Sequence, residues 1–166
     1  MSERPAPSAQ RLVRVAIALG SNVGDRRAHL DTAIARLHAL LEGAVVSPVI
    51  ETDPVGVGPQ PRFLNAAVVG ATGLSSRALL EAVQAIERAC GRTRPHPGAP
   101  RTLDLDLVLY GEDRVDEPGL LVPHPRFRER RFVLEPLASI APEMRDPVTG
   151  LTVGELLARV IAAEKT

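Results

Sequence analysis

Asp104 and Asp106 stand two residues apart in Arg101-Thr-Leu-Asp-Leu-Asp-Leu-Val-Leu-Tyr110, where apolar residues at 103, 105, 107 and 109 alternate with them. On a strand, side-chain direction repeats every second residue, so both carboxylates leave one face while the leucines bury the other. Adjacent carboxylates repel each other unless a cation lies between them. Hard oxygen donors of this kind suit Mg²⁺, which keeps several waters and binds through one or two carboxylates plus substrate phosphates. The plainer alternative is the solvated face of an amphipathic strand. Two aspartates are locally unfavourable in a strand, and Arg101 just before them offers a planar fork for anions. A phosphate-plus-metal site is the stronger expectation.

Three loops carry residue types that a core has no need of. Pro54, Gly56, Gly58, Pro59 and Pro61 stiffen the stretch from Glu51 to Phe63 into a shaped loop that offers backbone hydrogen bonds to a ligand. Asn65 follows inside an apolar strand, where both ends of its amide need partners. It is either a satisfied structural amide or a reader of a planar heterocycle. The second loop, Gly91-Arg-Thr-Arg-Pro-His-Pro-Gly-Ala-Pro-Arg101, places Arg92, Arg94 and Arg101 beside the aspartates. The third, Val122-Pro-His-Pro-Arg-Phe-Arg-Glu-Arg-Arg-Phe132, adds His124 and Arg126, Arg128, Arg130 and Arg131. A solvated basic face is the usual reading of such a run. In a chain of zero net charge, two arginine-rich loops flanking a carboxylate pair instead fit a polyphosphate carried with Mg²⁺.

Strands and helices alternate around these loops. Residues 13–19 read as a buried strand, and Gly20-Ser-Asn-Val-Gly24 as a turn. Asp25 caps a helix with Leu30, Ala33, Ile34, Leu37 and Leu41 on one face, and Gly43 ends it. Residues 44–52 and 63–71 read as strands. Ser75 or Ser76 caps a second helix carrying Leu79, Leu80, Val83 and Ile86 inward. The carboxylate strand turns at Gly111, a proline-rich passage leads to a helix over about 129–140, and Thr152-x-x-Glu155 opens the last helix as a capping box. The order β-α-β-β-α-β, with additions after it, predicts an α/β (α+β) ferredoxin-like sandwich with a mainly antiparallel sheet flanked by helices.

At 166 residues the chain suits one domain, expected over 12–166 behind a flexible, proline-containing tail over 1–11. An apolar fraction of 45% excludes a disordered or fibrous chain. Zero net charge supplies no field to recruit nucleic acid or membrane. Cys90 is the single cysteine, so no internal disulfide forms and a reducing compartment fits; its expected role is a small buried hydrophobe. No apolar run reaches the roughly 18 residues of a membrane span, and no signal peptide precedes the first strand. A soluble cytoplasmic protein is expected, with a monomer as the default.

Four motifs occur in order: Ala18-Leu-Gly-Ser-Asn22, Phe63-Leu-Asn-Ala-Ala67, Pro100-Arg-Thr-Leu-Asp-Leu-Asp106, and Val122-Pro-His-Pro with Arg130-x-Phe132. Through them the chain, from residue 13 to about 147, resembles the 6-hydroxymethyl-7,8-dihydropterin pyrophosphokinases, which move pyrophosphate from ATP to a pterin alcohol in folate synthesis. The resemblance implies that Asp104 and Asp106 hold two Mg²⁺ ions bridging the ATP phosphates. It implies that Arg92 and Arg101 are catalytic, and that Gln84, Glu87, Arg94, Leu107, His124 and Arg130 contact ATP. Phe63 and Phe132 would sandwich the pterin, while Asn65 and the backbone of Thr52, Asp53 and Val55 read its hydrogen-bonding edge.

The chain departs from the family pattern in places. Gly98-Ala99 stands where many members carry Trp-Gly, a common tyrosine is Phe63, and the arginine loop is shorter and richer in proline. The residues fit the implied reaction. No Walker-type loop is present, so arginines and metal ions must cradle the phosphates. Transfer to an alcohol needs no protein nucleophile, and no serine shows a His–Asp partner arrangement. Two other readings remain: a metal-dependent nucleotidyltransferase, which would release pyrophosphate instead of AMP, and an RNA-binding module of the same fold. The latter stacks bases on aromatic strand residues and needs a basic face, which 2% aromatic content and zero net charge oppose.

Overall fold

Five strands form one sheet, with β1 (Val13–Ser21) at its interior between the fourth and fifth strands. The structure is a computed structural model that describes residues 11–54, 59–90 and 103–165. After β1 come α1 (Arg26–Leu40), β2 (Glu42–Val46), β3 (Ile50–Thr52), β4 (Phe63–Thr72), α2 (Ser76–Ala89) and β5 (Asp104–Tyr110). A small hairpin, β6 (Val115–Glu117) and β7 (Leu120–Val122), precedes α3 (Arg131–Ile140) and α4 (Val153–Glu164). The sheet order is β2-β4-β1-β5, with β3 also on β4, and each of these pairs is antiparallel. This is the ferredoxin-like arrangement that the sequence predicts.

Both faces of the sheet are covered. Val15, Ile17 and Leu19 pack with Leu30, Leu37, Leu79 and Val83 beneath α1 and α2. Ala16, Ala18, Ala67 and Val69 pack with Phe127, Leu134, Leu137 and Leu156 beneath α3 and α4. Burial on both sides is why residues 15–19 form a continuous apolar run instead of an alternating one, while Arg14 at the strand's start is exposed. It also removes the open sheet face on which an RNA-binding module of this topology would stack bases.

Local signals set the helix starts. The Asp25 carboxylate accepts the Ala28 N–H at 3.0 Å, and the Ser75 hydroxyl accepts that of Ala78 at 3.1 Å. At α4, the Thr152 hydroxyl accepts the Glu155 N–H and the Glu155 carboxylate accepts that of Thr152, completing the capping box. Such caps satisfy amides that have no partner within the helix.

Several expectations need correction. The first turn starts later than predicted, because Gly20 and Ser21 continue β1 in register with Asn65 and Leu64. Gly43 does not end α1, which Leu41 caps. Gly43 instead sits in β2 with φ +60° where the register to β4 shifts, a bulge that needs a left-handed residue. The single strand expected over 44–52 is two, broken at Ser47-Pro48, since proline has no N–H for the ladder. Ser47 still bonds Ala67 through its backbone N–H and its hydroxyl. The proline-rich passage contains the unpredicted β6–β7 hairpin. The helix expected from 129 is a 3-10 turn (Phe127–Glu129) followed by α3, whose N-cap is Arg130.

Candidate active site

The carboxylate strand keeps its predicted two-sidedness over its first half only. Asp104 and Asp106 lie half-buried opposite Gly20 and Ala18, while Leu105 and Leu107 join the core on the α1–α2 side. A register shift between Ala16 and Ile17 then inverts the pattern. Leu109, expected beside the other leucines, packs on the α3–α4 side, and Tyr110 takes the α1–α2 side with its hydroxyl donating to the Leu74 carbonyl at 2.6 Å. An extra residue in one strand reverses every side chain beyond it.

Across the sheet, Asp104 pairs with Gly20, Gly20 with Asn65, and Asn65 with Ile50. Residues directly paired share a face, so the carboxylates and the Asn65 amide lie on one surface with a glycine between them. A Cβ on Gly20 would lie 3.1 Å from Asn65 Oδ1 and 3.6 Å from the Phe63 ring. The bare glycine backbone is therefore what lets the Asn65 amide and the Phe63 ring approach this closely. Asn65 Nδ2 donates to Thr52 Oγ1 at 2.5 Å, which fixes the amide's orientation. Thr52 thus satisfies one end of this buried amide, as the structural reading of Asn65 expects, and the amide oxygen lies against Gly20.

The loop leading to Phe63 and Asn65 is tied down at its base. Asn22, almost fully buried, donates to the Gln60 side chain and to the Pro61 carbonyl at 3.0 and 3.1 Å. Arg62 bonds Asp53 and Glu51, and Arg26 donates to Glu51 and to the Arg62 carbonyl. Asp53 thereby holds the loop through its side chain.

His124 enters from the other side. Its backbone N–H donates to the Val108 carbonyl on β5 at 3.0 Å, and its Nδ1 accepts the Arg126 N–H at 3.3 Å. Burial pushes the imidazole below its usual pKa; the Arg130 charge pushes the same way, Asp104 opposes, and Arg126 adds to the lowering. His124, Arg130 and Asp104 are thus close enough to act on one another, and a neutral imidazole with Nδ1 engaged carries its proton on Nε2. The Arg130 guanidinium lies 5.6 Å from the centroid of the Phe132 ring, on the first turn of α3. α3 packs on β4, β1 and β3, which brings Phe132 to the sheet face of Asn65 and Phe63.

Other predicted residues fall differently. Gln84 is exposed on α2, one turn from Glu87. Glu87 is buried, and its carboxylate accepts the Leu105 N–H at 2.8 Å, so it grips the outer edge of β5 between the two aspartates. The Leu107 side chain belongs to the core, leaving only its backbone to meet a ligand. Arg92, Arg94, Arg101 and Val55 lie outside the described residues. Cys90 caps α2, half-buried, and burial raises its thiol pKa as a small core residue requires.

The sequence reading missed Gly20 as a spacer, the Asn22 clamp and the Glu87 grip on β5. Gly20 and Asn22 were visible only as members of a motif, and nothing local marks Glu87, which also satisfies an amphipathic helix pattern.

Fold and site together define a class: an antiparallel α/β sandwich with paired carboxylates on one sheet face and a histidine and an arginine near them, residue types that suit a metal-bound polyphosphate. Comparison with known proteins narrows it. Residues 16–142 match the family described as 7,8-dihydro-6-hydroxymethylpterin-pyrophosphokinase (HPPK), and the chain belongs to that family. It is 47% identical over 135 residues to the 2-amino-4-hydroxy-6-hydroxymethyldihydropteridine pyrophosphokinase of Bacillus subtilis, covering 80% of this chain and 81% of that protein. The Pseudomonas aeruginosa protein of the same name is 45% identical over 147 residues, covering 87% and 90%. Among solved structures, the HPPK-DHPS of Plasmodium falciparum with SDX-DHP matches at TM-score 0.76 and 14% identity, a likeness of fold alone. That match covers 93% of this chain and 45% of that one, so this chain spans less than half of the longer protein.

Proposed function

We propose that this chain transfers the pyrophosphoryl group of ATP to the hydroxymethyl group of 6-hydroxymethyl-7,8-dihydropterin, releasing AMP, in folate synthesis. Family membership supports the reaction, and the single observation that supports this site for it is the row Asp104–Gly20–Asn65. That row puts a carboxylate and a buried amide on one face with a glycine between them, which supports reading the carboxylates as metal ligands and the amide as the pterin's partner.

In this reading the pterin stacks between Phe63 and Phe132, with its edge on Asn65 and on the backbone near Thr52 and Asp53. Asp104 and Asp106 would hold Mg²⁺, proposed as two ions, with ATP; bound Mg²⁺ would neutralise polyphosphate charge and make the phosphorus a better electrophile. The donor chemistry fits, since two carboxylates share a face opposite residues too small to obstruct them. His124 Nε2–H and Arg130 donate to the ATP phosphates. Arg92 and Arg101 supply charge as the transfer proceeds, Arg94 and Gln84 line the nucleotide, and Glu87 and the Leu107 backbone lie on its side of β5. The alcohol oxygen bonds the β-phosphorus, the bond from that phosphorus to the bridging oxygen breaks, and its electron pair leaves on AMP. The hydroxyl proton passes to water.

We further infer one domain over 12–166, acting as a monomer in the cytoplasm. Among the described residues no helix is long and apolar enough to cross a membrane.

The test is incubation of the purified protein with ATP, Mg²⁺ and the pterin alcohol. AMP and the pterin pyrophosphate are expected in equal amounts. Release of inorganic pyrophosphate, or no dependence on the pterin, would overturn the reading in favour of a nucleotidyltransferase.

A further inference from the structure

Arg128 is separated by one residue from Arg130 and by three from His124, yet it turns away from both. Its Nε and Nη2 donate to the two carboxylate oxygens of Asp146 at 2.6 and 2.9 Å. Asp146 is completely buried. Its carboxylate also accepts the Val148 N–H at 3.0 Å and the Thr149 hydroxyl at 2.7 Å. Burial alone would raise its pKa, but the Arg128 hydrogen bonds, then Thr149 and Val148, more than reverse this and hold it at about 2. The turn around Asp146 is itself closed by bonds from the Asp146 N–H to Leu151 and from the Gly150 N–H to Asp146.

Segment 124–130 is therefore fastened at three points. His124 is tied through its backbone to β5, Phe127 is wholly buried under α3 and α4, and Arg128 is locked to Asp146 across the ring of Phe127, 5.0 Å from its centroid. Besides the Arg128–Asp146 pair and the burial of Phe127, the 3-10 turn between the two phosphate-facing residues is held by its own backbone bonds, Phe127 N–H to His124, Glu129 N–H to Arg126 and Arg130 N–H to Phe127, all longer than 3.1 Å. Bidentate arginine–carboxylate pairs add geometric specificity as well as energy. Charge alone near the nucleotide does not account for the pair, because its cation is directed at a buried aspartate and not at the site.

We propose that the Arg128–Asp146 pair is a positioning device for the nucleotide half of the site: it sets the spacing of His124 and Arg130 and touches no substrate. This rests on the pyrophosphokinase reading of those two residues.

The test uses the full chain with Arg128→Met, Arg128→Lys and the milder Thr149→Val, each checked for folding by circular dichroism. Michaelis constants for ATP and for the pterin alcohol are measured separately. Arg128→Met is expected to raise the ATP constant about tenfold while the pterin constant stays within about twofold. Arg128→Lys should recover only part of the loss, since an ammonium cannot reproduce the fork. Thr149→Val, which leaves the ion pair but loosens its aspartate, should shift the ATP constant alone, by a few-fold. If Arg128→Met does not fold, Thr149→Val decides. Lower thermal stability with both Michaelis constants unchanged, or equal shifts in both, would reduce the pair to a structural tie and overturn the proposal. Wild-type turnover, measured first, separates the levels: its absence sinks the reading of the site, whereas its presence with an unshifted ATP constant sinks only the positioning role.

Discussion

The Glu87 carboxylate accepts the backbone N–H of Leu105, the residue that separates the two aspartates, at 2.8 Å. β5 is the edge strand beyond β1, so its outer amides have no ladder partner, and a buried carboxylate from α2 takes that place. One hydrogen bond thereby joins the α2 helix to the pitch of Asp104 and Asp106.

Replacing Glu87 with Ala leaves a buried N–H unsatisfied, at a cost of about 1.5–3 kcal/mol for a bond to a charged group. Glu87→Gln keeps an acceptor and should lose less. Chemical denaturation ranks the three proteins; turnover should fall in the same order because the carboxylate pair loses its backbone support. Equal stability of Glu87→Ala and wild type would mean that water replaces the carboxylate at no cost.

Asp104→Ala and Asp106→Ala each remove a proposed metal ligand. Loss of several kcal/mol of charge stabilisation predicts a fall in kcat on the order of a thousandfold, with the far-UV circular dichroism spectrum retained. Near wild-type activity of either variant at saturating Mg²⁺ would contradict the metal-pair assignment.

Gly20→Ala crowds the Asn65 amide and forces it to shift, since its Cβ would meet Asn65 Oδ1 at 3.1 Å. The expected result is weaker pterin binding, by about tenfold or more, with a stability change of roughly 1 kcal/mol. Asn65→Ala should weaken the pterin by about one to two powers of ten through loss of its edge contact, with ATP affinity little changed. Phe132→Ala should behave like Asn65→Ala. Calorimetric titration with the pterin and with a non-hydrolysable ATP analogue checks all three; loss of nucleotide affinity with the pterin affinity kept would reverse the pocket assignment.

Asp146 predicts an acid-side stability profile. Its pKa falls from 3.8 to about 2 on folding, so the unfolded chain binds the proton more tightly and folding is favoured when the group is ionised. This stability is fully present above pH 3.8 and is lost as pH falls through about 2. Breaking a buried pair by removing one partner costs roughly 3–5 kcal/mol. Asp146→Asn should therefore melt at lower temperature than wild type near neutral pH, with the difference narrowing toward pH 2. A constant difference across that range would assign the loss to packing.

The sequence by itself determined the periodicities, the caps and the motif order. The buried strand beginning at residue 13, the Asp25, Ser75 and Thr152 caps, and the shared face of Asp104 and Asp106 all follow from local rules: side-chain spacing, orphan amides and carboxylate chemistry. Only the tertiary structure decided what depends on register between strands distant in the chain. The shift at Ala16 and Ile17 moves Leu109 to the opposite face, and Gly20 has to lack a side chain because Asn65 pairs so closely beside it. The same holds for Glu87 on Leu105 and Arg128 on Asp146. A buried charge satisfied eighteen residues away looks, in sequence, like any other charge on a helix or loop, because its partner is chosen by packing and not by spacing.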